Sequence, residues 1–387
     1  MLETTSPSQA DADRLQALAR HSHALITSLQ DPGGAYPASP TFSACRGYAW
    51  LRDGSFTAEG VSRYGDVASA DRFHDWVSRT LHARTDDVAA LARARSEGRE
   101  VPVEQMLPTR FTFDGANGSD PWWDFQTDGY GIWLWSVVTH ARRHGLALAR
   151  WADGIRVATQ YLTAFWDRPC YDWWEEHVEQ QHVSTLGAMH AGLVAAADGG
   201  TLTTDEATEA RAIASSIRFL AHTQGTTTGT RSTGEPHLAK WLGSTAVDGS
   251  LPACVVPFGL VEPGSALAEA TLRAVTEDLD VAGGVHRFRA DVFYGGGQWP
   301  LLSCLLGWNL AVAGDRDGAL VHLLWAADQA TPTGDLPEQV PQHLLHPERR
   351  DEWVDRWGPV ATPLLWSHGM FLILADELGL LPEGTSR

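Results

Sequence analysis

Along this chain of 387 residues, helical stretches that are apolar or small on every side alternate with stretches that carry charge on one side only. The segments YGIWLWSVV at 130–138, STLGAMHAGLVAAA at 184–197, SLPACVVPFGL at 250–260, WPLLSCLLGWNLAVA at 299–313 and PLLWSHGMFLILA at 363–375 offer water no continuous polar face. Helices of that kind are buried all round. Between them lie helices such as 203–223, where Asp205, Glu206, Glu209 and Arg211 oppose Ile213, Ile217 and Leu220. Those are half exposed. β-Branched alternation is rare, whereas i, i+3, i+4 apolar spacing recurs, so the fold class is all-α. Helices are predicted over 8–29, 54–64, 67–83, 128–145, 149–167, 182–198, 203–223, 250–259, 264–278, 298–313, 315–329 and 361–379. With odd members outside and even members inside, they make an (α/α)6 barrel of six inner and six outer helices. A solenoid of helix pairs would need a fixed-period repeat, and none is visible.

The longer segments, rich in Trp and acids, come before the even helices: GYAWLRD, SDPWWDFQTD, CYDWWEEHVEQQH, STAVDGS, VHRFRADVFYGGGQW, and the stretch from GDLPEQV to VDRWGPV. The odd helices mostly follow short turns such as AVAGDRDG. In an up-and-down ring every segment entering an inner helix lies at the same end, so these residues converge on one mouth. No domain boundary is needed, and 1–387 is expected to be one domain. The stretch 330–360 is a single long connection, which in a compact fold is usually functional. Residues 223–248, rich in Thr and Gly, read as an exposed excursion.

Lys and Arg total 29 against 48 Asp and Glu, and no basic stripe follows a phosphate backbone, which excludes nucleic acid as a partner. The opening MLETTSPSQADADRLQALARH has neither a basic nor an apolar signal region, and no run of about 18 apolar residues follows. A cytoplasmic protein without membrane contact is expected. Cys45, Cys170, Cys254 and Cys304 are scattered without a CxxC pair, which fits reduced thiols better than disulfides or zinc.

The 17 Trp residues concentrate partly in loops beside Asp and Glu. Some fill a core. Others suit a sugar, because indole faces stack on the C–H faces of pyranose rings while carboxylates accept from hydroxyls. Glu175 and Glu176 are flanked by Trp173 and Trp174, and apolar neighbours with an adjacent carboxylate raise the pKa of an acid, as a proton donor requires. A solvated charge pair at a helix start is the plainer alternative. Glu338 in GDLPEQV, at the same end, is a candidate second carboxylate. Arg52 and Asp53, beside Tyr48 and Trp50, can hold two neighbouring hydroxyls of a terminal sugar, or can cap a helix with Asp53 at the N-cap.

Taken in order, YxWxRD at 48–53, the YDxWEE pattern at 171–176, VxRFxxDxxYxGGxW at 285–299 and PEQ at 337–339 resemble glycoside hydrolase family 15: glucoamylases, glucodextranases and bacterial trehalases. The resemblance covers about residues 45–370. It implies an inverting, exo-acting α-glucoside hydrolase without metal or cofactor, with Glu175 as general acid and Glu338 as general base. Arg52 and Asp53 would hold the non-reducing-end glucose, helped by Tyr48, Trp50, Trp174, Glu176, Arg287, Tyr294 and Trp299. Gln126 and Asp128 match a family loop, with Trp122 and Trp123 as a nearby wall. GGGQWP at 295–300 departs from the family's usual approach to Trp299. Lacking the N-terminal β-sandwich and any carbohydrate-binding module, the chain is most similar to the isomaltose glucohydrolase type of the family, releasing β-glucose from α-1,6-linked substrates. Glucoamylase and trehalase are the alternatives within the family.

His177, Glu179 and His182 lack HExxH spacing, and the Gly295–Gly297 run lacks a P-loop lysine. His190 and His368 read as core histidines. They also keep open a sugar 2-epimerase on the same barrel, which would use barrel-facing imidazoles as acid and base. A non-catalytic sugar-binding protein is the third alternative. The partner in every case is a small sugar, and the oligomeric state is left open.

Overall fold

The structure, a computed structural model, describes residues 7–229, 234–382 and 384. The first residues of the acidic opening and the tip of the Thr/Gly-rich excursion lie outside them. Among the described residues there are thirteen α-helices: α1 (Gln9–Leu29), α2 (Leu51–Tyr64), α3 (Val67–His82), α4 (Thr85–Ser96), α5 (Asp128–His144), α6 (Ala152–Phe165), α7 (Val183–Asp198), α8 (Thr204–Gln224), α9 (Ala266–Leu279), α10 (Pro300–Val312), α11 (Arg316–Asp328), α12 (Arg350–Trp357) and α13 (Leu365–Glu377). Three two-stranded antiparallel ribbons brace the loops. The first joins β1 (Tyr48–Trp50) to β2 (Arg110–Thr112), with Ala49 opposite Phe111.

The inner ring closes through contacts α2 to α5, α5 to α7, α7 to the turn at Leu251–Cys254, that turn to α10, α10 to α13, and α13 back to α2. Small residues let these helices approach closely. A Cβ on Gly60 would stand 2.5 Å from Gly369 O, and one on Gly192 would stand 2.5 Å from Gly131 O. The barrel axis is filled with aromatic rings. Phe56 packs on Trp135, Trp173 and Trp366 at centroid distances of 5.8, 5.9 and 5.6 Å.

Two expectations need correction. The predicted helix 250–259 is one short 3₁₀ turn, Leu251–Cys254, followed by further turns. Pro257 lacks an N–H and would clash with the carbonyl of Ala253 in a helix, so only apolar packing survives there. The helices α4 and α12 were not anticipated. The first buries only Val88, Leu91 and Ala94, and the second has no buried residue, so neither shows the apolar stripe that reveals a helix.

The two ends of the barrel start their helices differently. Outer helices α1, α3, α8, α9 and α11 begin with side-chain caps from Ser8, Asp66, Thr203, Ser265 and Asp315. None of α2, α5, α7, α10 and α13 has one. Backbone groups of neighbouring loops hold several instead: Leu51 N donates to Thr109 O, Val183 N to Lys240 O and Leu365 N to Ala38 O. The inner-helix end is therefore knitted from long connections, and the cavity lies among them.

Candidate active site

The cavity is walled by Trp50, Trp122, Trp123, Trp174, Trp299, Trp353 and Trp357, and floored by Trp173 and Trp366, the same rings that plug the barrel axis. Into this aromatic lining project Arg52, Asp53, Glu175, Glu176, Arg287 and Glu338. Five of the six segments entering the inner helices thus converge here; STAVDGS does not reach the cavity, and its Asp248 instead accepts from Trp174 Nε1. The long connection contributes too, since α12 carries Trp353 and Trp357 to the wall.

Glu175 does not stand at a helix start, because α7 begins only at Val183. It sits in a tight turn with φ 65°, a left-handed conformation unusual for a residue with a long side chain. Asp172 shapes this turn: its Oδ1 accepts from Trp174 N and Glu176 N, both at 2.9 Å, while Glu175 N donates to Asp172 O at 3.0 Å. The Glu175 carboxyl is held from outside the turn. Its Oε1 accepts from Trp50 Nε1 at 2.9 Å, Trp122 Nε1 at 3.0 Å and Gln126 Nε2 at 3.1 Å. Among the described residues all three of these donors reach Oε1 and none reaches Oε2.

Glu338 enters from the opposite side, since its loop precedes α13 and the Glu175 turn precedes α7, the sixth and third members of the inner ring. The loop is fixed by backbone pairing and by side chains, with Ser367 Oγ donating to Pro337 O at 2.8 Å. Glu338 N donates to Ala361 O at 2.9 Å, Val340 N donates to Gln298 O at 2.9 Å, and Gly297 N donates to Gln339 Oε1 at 3.0 Å. A Cβ on Gly297 would meet Val340 O at 2.5 Å, so the Gly run permits this close approach rather than binding an anion. Glu338 Oε2 is buried without a hydrogen-bond partner. Burial pushes this carboxyl up to about 8; Arg287 opposes that, while Asp53, Glu175 and Asp291 add to it.

Arg52 and Asp53 lie in the first turn of α2, whose N-cap is Trp50, so Asp53 is not the cap. Arg52 Nη1 donates to Gln126 Oε1 and Asp128 Oδ2, each at 2.8 Å. Asp53 stands 3.8 Å from Arg52 Nε and is pushed up to about 7, mainly by burial, with Arg52 opposing and Glu175 reinforcing. Arg287 is clamped by Asp291, with Nε to Oδ2 at 2.7 Å, and reaches Glu176 Oε1 at 3.4 Å. Burial raises Glu176, and Arg287 opposes the shift.

Four expected sugar contacts do not line the cavity. Gln126 and Asp128 are fully buried and orient Arg52, with Gln126 also reaching Glu175. Tyr48 donates to Asp120 and lies under the Arg110 guanidinium, 3.9 Å from its ring centroid. Tyr294 is buried, with its hydroxyl donating to Gly358 O at 2.9 Å. The other expected residues, Trp50, Trp122, Trp123, Trp174 and Trp299 among them, line the cavity. His368 is not a cavity residue: its Nε2 accepts from Leu336 N at 2.9 Å, its Nδ1 faces Ser22 Oγ at 2.8 Å, and burial lowers its pKa to about 3. His190 likewise stays away from this cavity, bonded through Nδ1 to Ala214 O at 3.0 Å.

Sequence reasoning missed Arg110, whose guanidinium lies 4.0 Å from the Trp122 ring centroid and 5.4 Å from that of Trp50. It also missed Asp172, Lys240, Asp248 and Asp291, which support the lining without touching the cavity. Asp172 and Asp291 stood inside the quoted motifs. Asp248 stood in the quoted segment STAVDGS, whereas Lys240 carried no signal: it lies in the stretch 223–248 expected to be an exposed excursion, yet it is buried, and its partner Asp172 is 68 residues away.

Residues 12–330 match the model of a family described as glycosyl hydrolases family 15, a span that ends before Glu338. The chain is 69% identical over 370 residues to isomaltose glucohydrolase of Kribbella flavida, covering 95% of this chain and 94% of that protein. A glycosidase variant solved in complex with glucose is 67% identical, with a TM-score of 0.94 over 97% of this chain and 100% of that one. Glucoamylase from Saccharomycopsis fibuligera, 14% identical, has a TM-score of 0.68 over 95% of both chains and shares the fold.

Proposed function

We propose, for a chain that belongs to glycosyl hydrolases family 15, an inverting exo-acting α-glucosidase releasing β-glucose from isomaltose and short α-1,6-linked glucosides. The observation that carries this reading is a pair of carboxyls, Glu175 and Glu338, reaching one aromatic cavity from opposite members of the inner ring. The similarity to isomaltose glucohydrolase supports the linkage. A single catalytic domain and a cytoplasmic location belong to the same proposal, the latter supported by four free cysteines.

In this mechanism Arg52 and Asp53 hold hydroxyls of the terminal glucose while Trp174 and Trp299 bound its ring. Glu175, anchored through Oε1, delivers a proton from Oε2 to the glycosidic oxygen as the bond to the anomeric carbon breaks. Glu338 Oε2 takes a proton from a water that attacks the anomeric carbon on the opposite face. Inversion needs the two carboxyls about 6.5–9.5 Å apart, so that water and sugar fit between them. Arg287 and Glu176 steady the wall between them. An epimerase would need imidazoles on the cavity, whereas His190 and His368 are committed to backbone groups elsewhere. A binding protein without chemistry would not need both carboxyls.

The experiment is a panel of isomaltose, maltose, trehalose and soluble starch, followed by proton NMR during the first minutes. Isomaltose is expected to give the highest kcat/KM, starch almost none, and the first glucose seen to be the β-anomer. Initial α-glucose overturns inversion. Faster cleavage of maltose or trehalose moves the enzyme to another linkage.

A further inference from the structure

The turn carrying Glu175 rests on three buried charges outside the cavity. Lys240, Asp172 and Asp248 are each 3% exposed or less. Lys240 Nζ donates to Asp172 Oδ2 at 2.9 Å and to Asp248 Oδ2 at 2.5 Å, and lies 3.9 Å from the Phe288 ring centroid. Burying three charged groups is costly, and a hydrophobic filling of the same space would be at least as stable. The arrangement therefore calls for a reason other than stability.

That reason lies in what the two aspartates hold. Through Oδ1, Asp172 gathers the backbone N–H groups of Trp174 and Glu176, the residues on either side of Glu175. Asp248 accepts from Trp174 Nε1 at 3.0 Å and from Ser250 Oγ at 2.6 Å, which fixes a cavity-lining indole. Lys240 joins the two aspartates, which would otherwise repel. A left-handed residue with a long side chain is strained and persists only where its surroundings over-determine it. Here the surroundings include this clamp, which holds the backbone of the turn, while Trp50, Trp122 and Gln126 hold the carboxyl itself.

We infer that Lys240 is a positioning residue for the proton donor: it keeps the Asp172–Asp248 clamp closed and so holds Glu175 at the glycosidic oxygen. The inference rests on Glu175 being the acid. Its test compares two substrates that share the glucosyl group and differ in the leaving group, and so in their need for that proton. The leaving glucose of isomaltose departs as an alkoxide unless protonated, while α-D-glucosyl fluoride releases fluoride with little help. For Lys240→Met, kcat/KM on isomaltose should fall by about 10²-fold, within the range general acid catalysis supplies, while activity on the fluoride stays within about threefold. Lys240→Arg, which retains the charge, should restore much of the isomaltose rate. A loss shared equally by both substrates, or no loss on either, overturns the inference. If Lys240→Met does not fold, Asp248→Asn, which removes one of the facing carboxylates, is measured on the same pair with the same expected difference. If the wild type ignores isomaltose but cleaves another glucose disaccharide, the linkage fails, and the ratio is taken on that disaccharide instead.

Discussion

Glu175 and Glu338 face one cavity, yet the chain supports them in opposite ways. The Glu175 turn is ringed by side-chain donors: two indoles and an amide on one carboxyl oxygen, with a carboxylate behind its backbone. The Glu338 loop is held through its backbone, which pairs with Gln298 and Ala361 and is bonded by the Ser367 and His368 side chains, while the Glu338 carboxyl itself is left unanchored at Oε2, which meets no donor. One carboxyl has its orientation fixed and a single oxygen left to act. The other has its position fixed and its chemistry left open to whatever enters the cavity. The difference suits an acid that must aim a proton at one atom and a base that must accept one from a mobile water.

The largest effect should come from removing either carboxyl, and the two removals should be distinguishable. Glu338→Ala is expected to lose about 10⁴-fold in kcat on every substrate while still binding isomaltose, because no other group is placed to activate the water. Glu175→Ala should lose a similar factor on isomaltose but far less on α-glucosyl fluoride. Steady-state kinetics and calorimetric binding check both. If Glu338→Ala retains turnover, Glu338 is not the base; if the fluoride rescues Glu338→Ala rather than Glu175→Ala, the roles are reversed.

This contrast was only half legible in the sequence. Trp173, Trp174, Glu175 and Glu176 are contiguous, so an aromatic acid motif could be read directly. The donors that anchor Glu175, Trp50 and Trp122, come from segments 125 and 53 residues away, and only folding reveals which indole turns its N–H inward. The inner helices were legible because burial on all sides leaves a continuous apolar run. The stretch 250–259 took the look of a helix from the same apolarity, against Pro252 and Pro257. Gln126 and Asp128 were recognisable as site residues, but nothing in a linear pattern separates a sugar contact from the support of Arg52.

The Arg52 and Asp53 pair sharpens the comparison at intermediate size. Arg52 is already held by Gln126 and Asp128, as Glu175 is held by its donors, whereas Asp53 stands 3.8 Å from Arg52 with no closer ion-pair partner among the described residues, and in this it resembles Glu338. Asp53→Asn should lower kcat/KM by about 10²-fold, through loss of a charge-assisted bond to a hydroxyl, with the helical circular dichroism unchanged. Near-normal kinetics in that variant would remove Asp53 from the sugar site.

The smallest effect, and the one that decides roles by its sign, is the pH dependence of kcat/KM, which reports groups in the free enzyme. Glu338 is held up to about 8 by burial and by Asp53, Glu175 and Asp291, with Arg287 opposing. Below that value it carries a proton. A base must be ionised, so kcat/KM should fall as pH drops, along a limb displaced upward from the ordinary carboxylate range toward about 8. A group of the same raised pKa acting as the acid would give the reverse, a loss as pH rises. Asp53, held up to about 7, titrates in the same window and would contribute a limb of the same sign. Asp53→Asn separates the two: the residual activity should keep its rising limb if Glu338 is responsible, and lose it if the limb belonged to Asp53. His368, lowered to about 3, and His182, lowered by burial, carry no charge change there. The effect between pH 8 and 7 is at most about tenfold, the limit for loss of a single ionised base. A wild-type profile that instead declines through this range would make Glu338 the proton donor and Glu175 the base.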